Sequence, residues 1–165
     1  MKTLLLVRHA KSSWDDPEMK DFDRPLNDRG KKDAPEMAER LKDKGLKIDQ
    51  FVSSPAKRAR KTAKIFAEAY NVKKDDVKLV DELYHASPSA FAKTIAELKD
   101  KHDVVAIFSH NPGITEYASS LTNVRIDNIP TCGMFAVQAD IKNWSEFDTT
   151  EKSFLFFDYP KNPVN

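Results

Sequence analysis

The sequence has little of what many protein classes depend on. It holds one cysteine, Cys132, which excludes an intrachain disulfide and a cysteine-cluster metal site. No apolar run approaches the roughly 20 residues of a membrane-spanning helix. No charge dominates: 27 Lys and Arg stand against 26 Asp and Glu. A general nucleic-acid binder shows a basic excess or stripe, so that class is set aside, while a small local anion site is not. There is no internal repeat, no low-complexity tract and no His-x-x-x-His spacing for a catalytic metal.

What is present suffices for a core. Of 165 residues, 40% are apolar and 10% aromatic. That length and content predict one domain spanning residues 1–165. The apolar start, Met1 to Val7, stops at Arg8 and is too short for a secretory segment, so it reads as a first strand with a cytoplasmic location as the default. Apolar runs then alternate with helical patterns, which predicts an α/β domain with a largely parallel sheet.

The expected strands are Thr3 to Val7, Gln50 to Val52, Val77 to Val80, Val104 to Phe108, Met134 to Val137 and Phe154 to Phe157. Leu4–Val7 and Val104–Phe108 are unbroken apolar runs, as in strands covered by helices on both faces. Ala34, Met37, Ala38 and Leu41 recur at helical spacing and Gly45 is a natural stop. That helix starts either at an Asp33–Glu36 capping box or near Asn27 with Pro35 inside it. Ser54-Pro55, Ser87-Pro88 and Asn111-Pro112 read as three further helix starts, with the first residue capping. Tyr159 to Asn165 reads as an extended tail.

Three segments share one layout of strand, polar turn and helix. The first strand runs into Arg8-His9. The second runs into Ser53-Ser54-Pro55 and a helix with Arg58 in its first turn. The fourth runs into Ser109-His110-Asn111-Pro112 and another helix. Parallel strands bring such turns to one sheet edge, where open α/β sheets bind ligands. The product is a pocket with two arginines, two histidines and two helix N-termini, a phosphate site holding imidazoles. Singly, each residue has a structural reading: a solvent-facing strand end, a helix start, a solvated arginine beside Lys57, Arg60 and Lys61, and a core histidine. Their joint placement outweighs these. His85, His102 and Cys132 keep the structural reading.

These residues resemble the histidine phosphatase superfamily. The matching runs are Leu5-Leu6-Val7-Arg8-His9-Ala10, Arg24-Pro25-Leu26-Asn27-Asp28-Arg29-Gly30, Ser53 through Ala63 and Ser109-His110-Asn111-Pro112, in the family's order over about residues 3–122. The short length and the run Arg8-His9-Ala10-Lys11-Ser12-Ser13-Trp14 look most like phosphohistidine phosphatases of the SixA type. Ala10 replaces the commoner glycine of the family pattern, which is harmless if the backbone there does not need positive φ.

The resemblance implies a three-layer α/β/α sandwich with a mostly parallel central sheet. It implies His9 as a nucleophile that becomes a transient phosphohistidine, with Arg8, Arg58 and His110 holding the phosphoryl oxygens. His110 is expected to donate as His⁺. It carries over Ser53 as a phosphate donor, Ser109 less directly, and Lys11 as part of a cationic rim. The proton donor stays open among Asp21, Asp23 and Glu82, with Asp21 favoured by spacing.

The implied function is a metal-independent phosphatase, without cofactor, acting on phosphohistidine in a protein. Its expected partner is a phosphorylated protein, with neither nucleic acid nor membrane involved. The alternatives are a phosphatase of a small phosphorylated metabolite, a mutase, a non-catalytic phosphoprotein-binding module and a metallohydrolase.

Overall fold

The computed structural model describes residues 1–163. Six strands, β1 (Lys2–Arg8), β2 (Gln50–Ser53), β3 (Lys78–Leu79), β4 (Val104–Ser109), β5 (Met134–Ala139) and β6 (Lys152–Asp158), form one sheet. Their order is β3-β2-β4-β1-β5-β6. The first four run parallel, β5 runs antiparallel to β1, and β6 runs antiparallel to β5. The helices are α1 (Asp28–Asp43), α2 (Lys57–Ala69), α3 (Pro88–Ala96) and α4 (Gly113–Leu121).

The unbroken apolar runs explain the layering. In β1 the side chains of Leu4 and Leu6 enter one core and those of Leu5 and Val7 the other. In β4, Val105 and Ile107 join the first core, and Ala106 and Phe108 the second. Alternate side chains of a strand face opposite ways, so two-sided burial needs apolar residues at every position. Phe91 and Ile95 of α3 and Tyr117 of α4 close the first core; Met37 and Leu41 of α1 and Phe66 of α2 close the second. Burying each of these large side chains contributes about 1.5–3 kcal/mol. The result is an α/β/α sandwich with two helices per face.

Helix starts differ from the sequence expectation in two of four places. Helix α1 takes the earlier start: the Asn27 side chain accepts from the Gly30 amide at 2.8 Å. Pro35 then lies inside α1 on its exposed side, where the missing N–H bond leaves no buried gap in the helix ladder. Ser87 caps α3 as expected, with Pro88 in the first turn. Helix α2, however, begins at Lys57 without a side-chain cap. The Ser54 hydroxyl stops short, accepting from the Ala56 amide in the preceding turn. Helix α4 begins at Gly113, uncapped by Asn111. A Cβ at Gly113 would collide with the carbonyl of Ala86, so this helix docks where no side chain fits.

β3 is shorter than the expected Val77–Val80 and lies exposed at the sheet edge. The chain end is not a loose extension over its described part. Arg40 donates to the carbonyls of Tyr159 and Asn162, at 2.9 and 2.7 Å, and pairs with Asp158 at 3.0 Å. The last two residues of the expected tail lie outside the described residues. Among the described residues no helix is long and apolar enough to cross a membrane.

Candidate active site

The site follows from strand order. β2, β4 and β1 are neighbours and parallel, with Ser53 paired to Phe108 and Arg8 paired to Ser109. The residues that leave these strands at the carboxyl edge are Ser54, His110 and His9. The His9 and His110 ring centres lie 5.2 Å apart. Arg8, His9, Arg58 and His110 line a cleft of about 340 Å³, together with Lys11, Ser12, Trp14 and Arg24. Among the described residues four cations and no carboxylate line it.

His9 is nearly buried, and its Nδ1 lies 2.7 Å from the Ala10 carbonyl. A carbonyl only accepts, so Nδ1 carries the proton and Nε2 presents its lone pair. Nε2 faces the Arg58 Nε–H at 3.3 Å. Burial holds the imidazole well below its usual pKa; the Ala10 carbonyl opposes this, while His110, Arg58 and Arg8 add to it. Ala10 is not among the residues with positive φ, so the absence of glycine costs nothing there. Its amide donates to the Thr62 hydroxyl at 3.0 Å, and that hydroxyl donates to the Arg58 carbonyl at 2.8 Å. Thr62 thus ties the helix that carries Arg58 to the turn that carries His9.

His110 departs from expectation. Burial first, and then the charge of Arg58, push its pKa down to about 3, despite the opposing charge of Asp21. It is therefore neutral in the free protein. Its Nε2 meets the Ser54 hydroxyl at 2.7 Å, and its Nδ1 is buried without a partner among the described residues. Arg8 donates through Nη1 to the Ile129 carbonyl at 3.1 Å, and its buried Nε–H has no acceptor among the described residues. Buried polar atoms without partners are rare. Here both belong to side chains that line one cationic cleft, a lining that suits an oxyanion bringing several acceptors.

Asp21 sits behind Arg58 in a cradle of donors. Its carboxylate accepts from Tyr84 at 2.6 Å, from Arg58 at 3.1 Å, and from Nε and Nη2 of Arg24, each at 3.2 Å. Its backbone carbonyl accepts from Arg58 Nη1 at 2.7 Å. Burial raises its pKa, but the bonds from Tyr84, Arg58 and Arg24 outweigh burial and hold the carboxyl far below the usual range. So placed, Asp21 in the free protein is an ionised acceptor bonded to Arg58. Asp23 is exposed on the same turn and does not line the cleft. Glu82 is exposed and borders a different cavity, with Lys78 and Lys93.

Neither expected serine donor faces the cleft. The fully buried Ser53 hydroxyl donates to the Ser54 carbonyl at 2.8 Å, and Ser109 donates to the Leu83 carbonyl at 2.7 Å. Ser54, read from sequence as a helix cap, is the serine that reaches His110. Also unforeseen are Thr62, Tyr84 and the pair Arg24–Trp14, whose guanidinium lies 3.6 Å from the indole centre. Thr62 follows Arg58 by one helical turn, a spacing that could have flagged it. Tyr84 and Trp14 left no periodic signal. Among the described residues no three His, Cys, Asp or Glu side chains converge as a metal site.

This geometry agrees with the comparison to known proteins. The chain belongs to the histidine phosphatase superfamily, branch 1, whose sequence profile matches residues 4–87. It is accordingly an enzyme of the phosphatase class. It is 31% identical over 153 residues to an uncharacterized chloroplastic protein of Arabidopsis thaliana, spanning 88% of this chain and 70% of that one. Phosphoserine phosphatase 1 of Hydrogenobacter thermophilus is 35% identical over 112 residues, spanning 59% of this chain and 52% of that one. Among solved structures, the protein assigned as phosphohistidine phosphatase SixA in Agrobacterium tumefaciens superposes with a TM-score of 0.81 at 25% identity, covering 96% of this chain and 98% of that one. The protein histidine phosphatase SixA complexed with tungstate gives 0.80 at 20% identity, covering 96% and 97%.

Proposed function

We propose that this protein hydrolyses phosphohistidine on another protein, without a metal, through a phosphohistidine formed on its own His9. The observation that carries this reading is the fixed tautomer of His9. With Nδ1 protonated on the Ala10 carbonyl, the Nε2 lone pair faces a cationic cleft and becomes the nucleophile once the Arg58 Nε–H that it accepts at 3.3 Å turns to a phosphoryl oxygen.

In this reading Nε2 attacks phosphorus and the P–N bond of the substrate breaks. The substrate imidazole leaves neutral, because its other ring nitrogen has taken a proton from water. Water then attacks phospho-His9 and gives up a proton to solvent, the P–Nε2 bond breaks with His9 leaving neutral because Nδ1 has kept its proton, and phosphate departs. Arg8, Arg58 and His110 hold the phosphoryl oxygens and stabilise their charge in both steps. The state of Asp21 supports a phosphoramidate over an ester. An ester oxygen leaves best with an acid beside it, whereas a departing imidazole gets its proton from solvent at the far nitrogen. The cleft also meets solvent at the exposed Trp14 and Lys11, which suits a side chain presented by another protein.

The test compares phosphate release from a phosphohistidine-bearing protein, from phosphoserine and from an aryl phosphate, in chelator, for wild type and His9→Ala. We expect the phosphohistidine protein to be favoured, all release to need His9, and an acid-labile phosphoryl label to be trapped on wild type alone. Faster release from phosphoserine favours the metabolite reading, which the likeness to a phosphoserine phosphatase supports. Binding without release leaves a phosphoprotein-binding module.

A further inference from the structure

A second cavity, of about 200 Å³, opens beside the catalytic cleft, and the two share Lys11 and Thr131 as a common wall. Three cations line it, Lys11, Arg29 and Lys161, against an apolar wall of Tyr159 and Pro160. Among the described residues no carboxylate lines it. Resting on the reading above, we propose that this cavity is an accessory anion subsite. It receives an acidic side chain that neighbours the phosphorylated residue of the protein substrate.

Each cation is brought there by a separate structural device. The Asn27 amide donates to the Lys11 carbonyl at 3.0 Å, and a Cβ on Gly30 would collide with that carbonyl. The first turn of α1 therefore packs directly on Lys11 and sets Arg29 beside it. Arg29 pairs only loosely with the buried Asp33, at 3.4 Å, and its side chain remains 43% exposed. Lys161 is held by the Arg40 clamp on the Tyr159 and Asn162 carbonyls. A segment that reads as a featureless tail is thus fixed as one wall of a cationic pocket.

The occupant follows from charge and continuity. The catalytic cleft takes a dianion, and Lys11 borders both cavities, so it attracts a charge in either. Tyr159 and Pro160 offer apolar surface for the methylene stem of a Glu or Asp. A small molecule with a second phosphate shares this anionic chemistry, and the assay separates the two sources.

The experiment measures kcat and KM for wild type, Arg29→Ala, Lys161→Ala and the double variant. The substrates are an aryl phosphate, an alkyl bisphosphate, and two phosphohistidine peptides flanked by Glu or by Gln. The same peptides without phosphate serve as inhibitors of aryl phosphate hydrolysis. We expect wild type to favour Glu flanks in KM, each single variant to lose about two- to fivefold of that preference, and salt to erode it. Hydrolysis of the aryl phosphate, too short to reach the subsite, stays unchanged in all variants. Equal KM for Glu and Gln peptides, or a preference that survives the double variant, overturns the subsite and leaves the phosphohistidine reading intact. A variant effect confined to the bisphosphate overturns the acidic peptide as occupant. If no phosphohistidine peptide is hydrolysed, the inhibition arm decides alone. Stronger inhibition by the Glu peptide that the double variant abolishes upholds the subsite, and equal inhibition overturns it.

Discussion

The Nε–H of Arg58 points at Nε2 of His9 across 3.3 Å, while the far side of the same guanidinium is held by Asp21. One planar group therefore spans the proposed nucleophile and an ionised carboxylate. Its fork geometry matters as much as its charge. Arg58→Ala is expected to lower kcat/KM by roughly 10²–10³, the usual loss for a key charged donor. Arg58→Lys should recover little, because an ammonium cannot face both partners. Steady-state kinetics on the aryl phosphate checks both; near-wild-type activity in Arg58→Lys would show that charge alone suffices.

His110 gives a pH prediction with a definite sign. Its folded pKa, about 3, lies below its ordinary value of 6.5. The unfolded chain therefore binds more protons between those values, and stability falls as pH drops through that window. His9 is shifted the same way and adds to the effect. A phosphate dianion beside His110 reverses the shift, so inorganic phosphate should bind with proton uptake. Calorimetry in two buffers of different ionisation enthalpy reads that uptake. Its persistence in His110→Asn would place the proton elsewhere.

Asp21 separates an acid from an orienting carboxylate. Asp21→Asn removes the charge that holds Arg58 but withdraws no available proton. We expect a raised KM and a kcat on phosphohistidine peptides within about threefold of wild type, far less than the 10²–10⁴ typical of a lost general acid. Glu82→Gln should change nothing. Rates for aryl phosphates of graded leaving-group pKa provide the check: a steep dependence in wild type marks unassisted departure, and a shallow one that steepens in Asp21→Asn would restore Asp21 as the acid.

Thr62→Val tests the tie between the segments that carry His9 and Arg58. It strips the partner from the buried Ala10 amide, a change of about 1–3 kcal/mol. Thermal unfolding should register the loss, and kcat/KM should fall more than for a core substitution of equal stability cost. Equal falls would make Thr62 a packing residue only.

Two features of the chain were readable without coordinates. Strand–turn–helix units with chemistry at the turns place Arg8, His9, Arg58 and His110 at one sheet edge, because parallel strands share an edge. Continuous apolar runs imply helices on both faces, because a two-sided strand has no face for water. Both are local patterns with long-range consequences set by backbone geometry alone. What the tertiary structure decided is which atoms face which. Ser53 and Ser54 are adjacent and chemically alike, yet the pleat turns one hydroxyl onto its neighbour's carbonyl and the other onto His110. Asp21 reads as a candidate acid until Tyr84, Arg24 and Arg58, from 3 to 63 residues away in sequence, surround it with donors. His110 reads as a cation until burial makes charge costly. Protonation and hydrogen-bond direction depend on the neighbours that packing supplies, and those neighbours are brought together only when the chain closes on itself.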